Sequence, residues 1–139
     1  MVETAFVLFI LITIAFGTTE FGRAMYTKNT LNNAARAGVR AAVVTNPLNN
    51  LPRTYTINSS ADNIQQNIFG SIFYVNKDPS VLSATVCVAD NNGDCTASAT
   101  AVTGNIIKVT VSYSGFQSVV PNLTRITSSL VGQASMRYE

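Results

Sequence analysis

The sequence contains no histidine and no tryptophan, and only 2 of its 139 residues are cysteine. Without histidine, imidazole acid–base catalysis, Ser-His-Asp triads, Cys-His pairs and histidine-ligated zinc or haem are all excluded within the chain. Charge is scarce too. Only 12% of residues are charged, 9 Lys+Arg against 7 Asp+Glu, a net charge of +2 with no clustered basic block. Nothing in that balance points to nucleic acid or to a lipid headgroup as a partner. No cofactor-binding motif is present. Few charges beside 47% hydrophobic residues is the opposite of the composition of a disordered chain. The length suits one small domain with a modest core.

The apolar residues are concentrated at one end. Thr4 to Thr19 reads TAFVLFILITIAFGTT without a charge, between Glu3 and the pair Glu20 and Arg23. As a helix this run is roughly 24 Å long, a little short of a hydrocarbon core of about 30 Å. Met1 and Val2 on one side and the approach to Gly22 on the other bring it near the spanning limit. The helical pattern then continues. Leu31, Ala35, Gly38 and Ala42 recur at offsets of four, three and four, forming one face of small residues, and no proline occurs before Pro47. Val2 to Val44 is therefore expected to be one helix of roughly 60 Å. Gly17 with Thr18 and Thr19, or Gly22, is the expected place for a bend.

Arg23, Lys28, Arg36 and Arg40 all follow the apolar run, which by charge alone would put that side in the cytoplasm. The cysteine pair argues instead for an oxidising compartment. A basic leader removed from the front reconciles the two, so the chain is expected to be a processed form.

Several stretches carry a family resemblance. Val2-Glu3-Thr4-Ala5 resembles the V-E-F-A entry to the apolar helix of TadE-like proteins, with Thr4 where an aromatic is usual. Glu20-Phe21-Gly22-Arg23-Ala24 is similar to the family's E-F-G-R-A, and Asn33 to Ala42 to its N-A-A-R-x-G-x-R-x-A run. Ser135 to Glu139 resembles its closing strand. In processed pilin-like chains the glutamate stands a couple of residues further from the start than Glu3 does here.

The resemblance implies a pilin-like subunit, held in the inner membrane before assembly and afterwards part of an extracellular filament. Its implied partners are further copies of itself, a prepilin peptidase and the pilus assembly machinery. It also implies that Glu3 pairs with the Met1 amine of an adjacent subunit and sets the axial register. A buried carboxylate needs such a partner; otherwise Glu3 is a headgroup-level charge favouring the helix N-terminus. Glu20 and Arg23, at i and i+3, either pair along the helix or bridge subunits. Phe6, Phe9 and Phe16 are packing elements of the same interface. Gly22, Ala34, Ala35, Gly38, Ala41 and Ala42 admit close backbone approach, either between subunits or onto the chain's own sheet.

The remainder, 46–139, reads as a small α+β head. Asn46-Pro47 and Leu51-Pro52 end the helix, and residues 46–58 are expected to be a linker or an irregular excursion. Ser59-Ser60-Ala61-Asp62 starts a second helix, with Ala61, Ile64, Gln65, Ile68 and Phe69 on one face. Asp78-Pro79 is a turn. Alternation predicts strands at Val81–Val88, Ile106–Tyr113 and Leu130–Tyr138, in a three- to four-stranded antiparallel sheet for which a meander is simplest. Gly115 to Thr127 is a loop.

Cys87 and Cys95 enclose a short loop. Pairing is the default for an even count outside the cytoplasm, free thiols being the alternative. Within that loop Asp90, Asn92 and Asp94 begin like a calcium loop, but Cys95 and Ala101 replace its Gly and Glu. A polar hairpin turn and an opportunistic Ca²⁺ site are the two readings. Asn58-Ser59-Ser60 and Asn122-Leu123-Thr124 are formal glycosylation sequons. The leading expectation is a structural filament subunit, either major or a minor one that initiates or caps assembly. The rival is a membrane-anchored binding module that stays monomeric and makes contact through residues 90–104. Enzymatic carboxylate chemistry lacks a plausible pair.

Overall fold

The computed structural model describes residues 2–45, 47–57, 62–73, 75–90, 92–96, 100–116 and 129–139, with side chains from Glu3 onward. Helix α1 (Val2–Val44) is followed by strand β1 (Arg53–Thr56), helix α2 (Asn63–Gly70) and strands β2 (Leu82–Ala89), β3 (Ile106–Tyr113) and β4 (Leu130–Arg137). The four strands form one antiparallel sheet in the order β1-β2-β3-β4, a meander. This is the α+β pilin-like arrangement expected from the sequence.

Helix α1 is one uninterrupted helix of 43 residues, running through Gly17 and Gly22, or about 64 Å at 1.5 Å per residue. Its C-terminal half lies over the sheet. Leu31, Ala34, Ala35, Val39 and Ala42 are buried in one core with Leu82, Ala84, Val86, Ile107, Val109 and Val111, which alternate inward on β2 and β3, while the helix itself lies chiefly over β4 and β3. The small-residue face of α1 is thus spent on the chain's own core.

Two glycines set how closely the layers approach. A Cβ at Gly132 on β4 would fall on the backbone of Leu31 and Asn32. A Cβ at Gly38 would meet the side chain of Ile68 on α2 and, at 3.3 Å, Val109. The second obstacle is a side chain that can move. The first is helix backbone, which cannot.

The region read as a linker contains a strand. Arg53–Thr56 pairs with β2 in the register Tyr55↔Ala84, and Tyr55 is buried. Four residues beside Pro52 make too short an alternation to stand out, and pairing with an existing sheet supplies what local propensity does not. Helix α2 starts at Asn63, directly after Asp62; Ser59, Ser60 and Ala61 of the expected start lie outside the described residues. Asp62 is its N-cap residue without a side-chain cap bond; its carboxylate instead accepts from Arg53 at 3.3 Å. Gln65, buried on the apolar face of α2, donates to Thr56 O and Ile57 O, both at 3.0 Å, and ties α2 to the end of β1.

The Asp78 turn forms as expected. Its carboxylate accepts from the Ser80 amide at 2.9 Å and the Ser80 hydroxyl at 2.7 Å, bonds that hold it below the usual carboxylate range. Strand β4 stops at Arg137, one residue short of expectation. Tyr138 is buried and its hydroxyl donates to Thr45 O at 3.0 Å, pinning the end of the chain to the end of α1.

Gly132→Ala is expected to destabilise the fold by about 2–3 kcal/mol through overpacking against fixed backbone. Gly22→Ala, with nothing within 4 Å of the added methyl, is expected to stabilise by up to about 1 kcal/mol through helix propensity. Chemical denaturation of both variants in detergent checks the pair.

Candidate functional site

The N-terminal half of α1 projects beyond the head as a bare stem. Phe6 is 67% exposed, Phe9 69% and Phe16 52%. Val7, Leu8, Ile10, Leu11, Ile12 and Ile14 are exposed between them, so apolar side chains clothe every side of the helix. A helix apolar all round belongs inside a larger core or a membrane. The most apolar 18-residue window of α1 has a mean hydropathy of 1.9 and is only 6% buried. The core helix of a soluble domain would be covered by its own fold; this one is not.

The stem's hydroxyls suit such surroundings. Thr13 donates to Phe9 O at 2.9 Å, and Thr18 and Thr19 both donate to Ala15 O at 3.0 and 2.9 Å. Each side-chain O–H is satisfied within the helix and asks nothing of a solvent.

Charge brackets the stem. Glu3 is exposed in the first turn. Met1, whose amine on an adjacent subunit is the expected partner of Glu3, lies outside the described residues. At the other end Glu20 is buried, 8% exposed. It accepts from Arg23 Nη1 at 3.4 Å, and the Arg23 guanidinium lies 5.7 Å from the centre of the Phe116 ring. Within one chain, then, Glu20 and Arg23 pair along the helix. Phe116, just past β3, is a partner that sequence reasoning missed. It stands more than ninety positions from Arg23, and no local pattern links them.

On the head, Cys87 and Cys95 form a disulfide with a Cα–Cα distance of 5.5 Å. It closes a hairpin in which Thr96 N–H donates to Val88 O at 2.9 Å and Asp90 N–H to Asp94 O at 2.8 Å. Asp90 Oδ1 accepts from the amides of Asn92 and Asp94 at 2.9 and 2.8 Å, and Lys108 Nζ donates to Gly93 O at 2.8 Å. The D-x-N-x-D carboxylate thus holds its own turn. Among the described residues no three His, Cys, Asp or Glu side chains converge on a metal position. Both sequons lie outside the described residues.

Among the described residues the stem therefore presents a large uncovered apolar surface, at the end of the chain that carries the family-like motifs. Residues 1–40 match the family model of the TadE-like proteins. The matched span covers the whole stem and α1 as far as its seat on the sheet, while the rest of the head lies beyond it. No curated protein and no solved structure matches the chain. The TadE-like match and the apolar helix together fit a pilus-related protein, and the helix is long and apolar enough to anchor it in a membrane.

Replacing Cys87 and Cys95 with alanine reopens a loop of sequence separation 8. The expected loss is about 2–3 kcal/mol of head stability by the loop-closure relation, measurable as a denaturation midpoint lower than that of the oxidised wild type and close to that of the reduced wild type.

Proposed function

We propose that this protein is a structural pilin-like subunit that polymerises through its N-terminal helix into an extracellular filament. The observation that carries the reading is the uncovered stem. Its apolar surface is left to water by its own fold, and an exposed apolar patch of that extent marks a membrane or protein contact. Before assembly the stem rests in the inner membrane; afterwards it lies among the stems of other copies. Residues 1–45 then act as spine and 46–139 as outer surface, where adhesion or surface contact takes place.

In this reading Phe6, Phe9 and Phe16 pack between subunits, Glu3 sets the axial register, and Glu20 with Arg23 marks the boundary at which the stem leaves the apolar interior. Supply to the filament falls to a prepilin peptidase and the pilus assembly machinery, in keeping with the TadE-like match. The function is mechanical and not enzymatic. A minor subunit that initiates or caps the polymer is the alternative within the class. A monomeric anchored binder is the alternative outside it.

Phe9→Lys and Glu3→Ala test the reading together. A lysine at the middle of a spanning helix costs about 3 kcal/mol of insertion. Phe9→Lys is expected to abolish incorporation into filaments, and Glu3→Ala to reduce it sharply. The head, with its disulfide, should keep its wild-type denaturation midpoint in both. Wild-type polymerisation in both variants would contradict the proposal.

A further inference from the structure

A cavity of about 750 Å³ opens where the stem meets the head, within the range of about 300–1,000 Å³ typical of small-molecule sites. One wall is α1, with Arg23, Tyr26 and Thr27. The other is formed by Asn76, Tyr113 and Phe116. Arg23 is held at the wall from two sides, by Glu20 at 3.4 Å and by the face of Phe116.

Its depth is what gives the cavity a meaning. Thr19, the last residue of the uncharged run, also lines it. Arg23 lies one turn further on, roughly 6 Å along the axis. The polar layer on each side of a hydrocarbon core is about 5–7.5 Å thick, from total and core thicknesses of about 40–45 and 30 Å. With the stem in a bilayer, the cavity therefore faces the headgroups. Tyrosine rings with polar tips are at home at that level. A guanidinium offers a planar fork of donors that matches a phosphate, and the exposed Asn76 amide adds donors across the cavity.

We infer that this cavity holds the phosphate of a single membrane phospholipid against Arg23. The inference rests on the membrane-spanning reading of the stem. Because buried Glu20 offsets the charge of Arg23, recognition comes from directed hydrogen bonds more than from net attraction. Zwitterionic phosphatidylethanolamine should therefore be retained as well as anionic phosphatidylglycerol. Composition gives no sign of such a site, since one arginine carries it instead of a basic cluster.

The test is native mass spectrometry of the full chain released from nanodiscs of phosphatidylethanolamine and phosphatidylglycerol, compared with nanodiscs of a phosphate-free diglucosyl diacylglycerol. One phospholipid should stay with each wild-type chain, and the glycolipid should not replace it. Arg23→Gln is expected to lower retention about tenfold, the change equivalent to one good polar contact. Lys28→Gln, which removes a nearby exposed charge outside the cavity, should leave retention unchanged. Asn76→Trp, on the exposed opposite wall, fills the cavity without touching a charge and should also lower retention.

Equal losses in the Arg23 and Lys28 variants would overturn the site, as would wild-type retention in both the Arg23 and Asn76 variants, or equal retention of the glycolipid. If glycerol 3-phosphate displaces the lipid, the occupant is a soluble phosphoester and the headgroup assignment falls. A chain that never enters the nanodiscs would instead remove the membrane reading beneath the proposal, a separate and recognisable failure.

Discussion

The structure turns on an apolar surface that the fold does not cover. Every fully buried Leu, Ile or Phe contributes about 1.5–3 kcal/mol relative to leaving it in water. The stem carries Phe6, Phe9, Ile10, Leu11, Ile12, Ile14 and Phe16 without a neighbour from the head. A chain that kept this surface in water would forgo more than the marginal stability of a small domain. The stem must therefore be covered by lipid or by protein, and its satisfied threonine hydroxyls allow either. Function follows from which cover it takes and when.

The head makes that surface usable by fixing the other half of the same helix. Leu31, Ala34, Ala35, Val39 and Ala42 are sealed into the core, and Gly132 lets β4 come up to the backbone of α1 at Leu31. The Tyr138 hydroxyl holds the end of the chain to Thr45. The stem is thus the continuation of a clamped rod and not a tether. A neighbour that grips the stem also positions the head, and load on the head passes into the helix. The charged boundary at Glu20 and Arg23 lies between the two halves, where the surroundings change from apolar to polar.

Much of this was legible because α1 and the central strands repeat one simple pattern. The offsets of Leu31, Ala35, Gly38 and Ala42 named the buried face of the helix, and the alternation in β2 and β3 named the inner face of the sheet. The rest depended on distant contacts. Strand β1 exists because β2 offers it a partner, and its four residues carry too little alternation to show that alone. Gly132 reads as an ordinary glycine in a strand until the helix backbone is laid across it. Met136, in register with the buried Ile107 on edge strand β4, is 41% exposed, which alternation alone does not reveal. Phe116 and the cavity beside Arg23 are assembled from segments far apart in the chain, and no spacing rule connects them.

The central claim is that copies of this chain cover one another's stems. Electron cryomicroscopy of filaments sheared from native cells, with mass spectrometry of the same fraction, tests it most directly. The account predicts this chain as a component of the filament, with residues of the stem packed helix against helix inside and the disulfide-bearing heads outside. A filament fraction free of this chain, with the protein left as a monomer in the inner membrane, would contradict it.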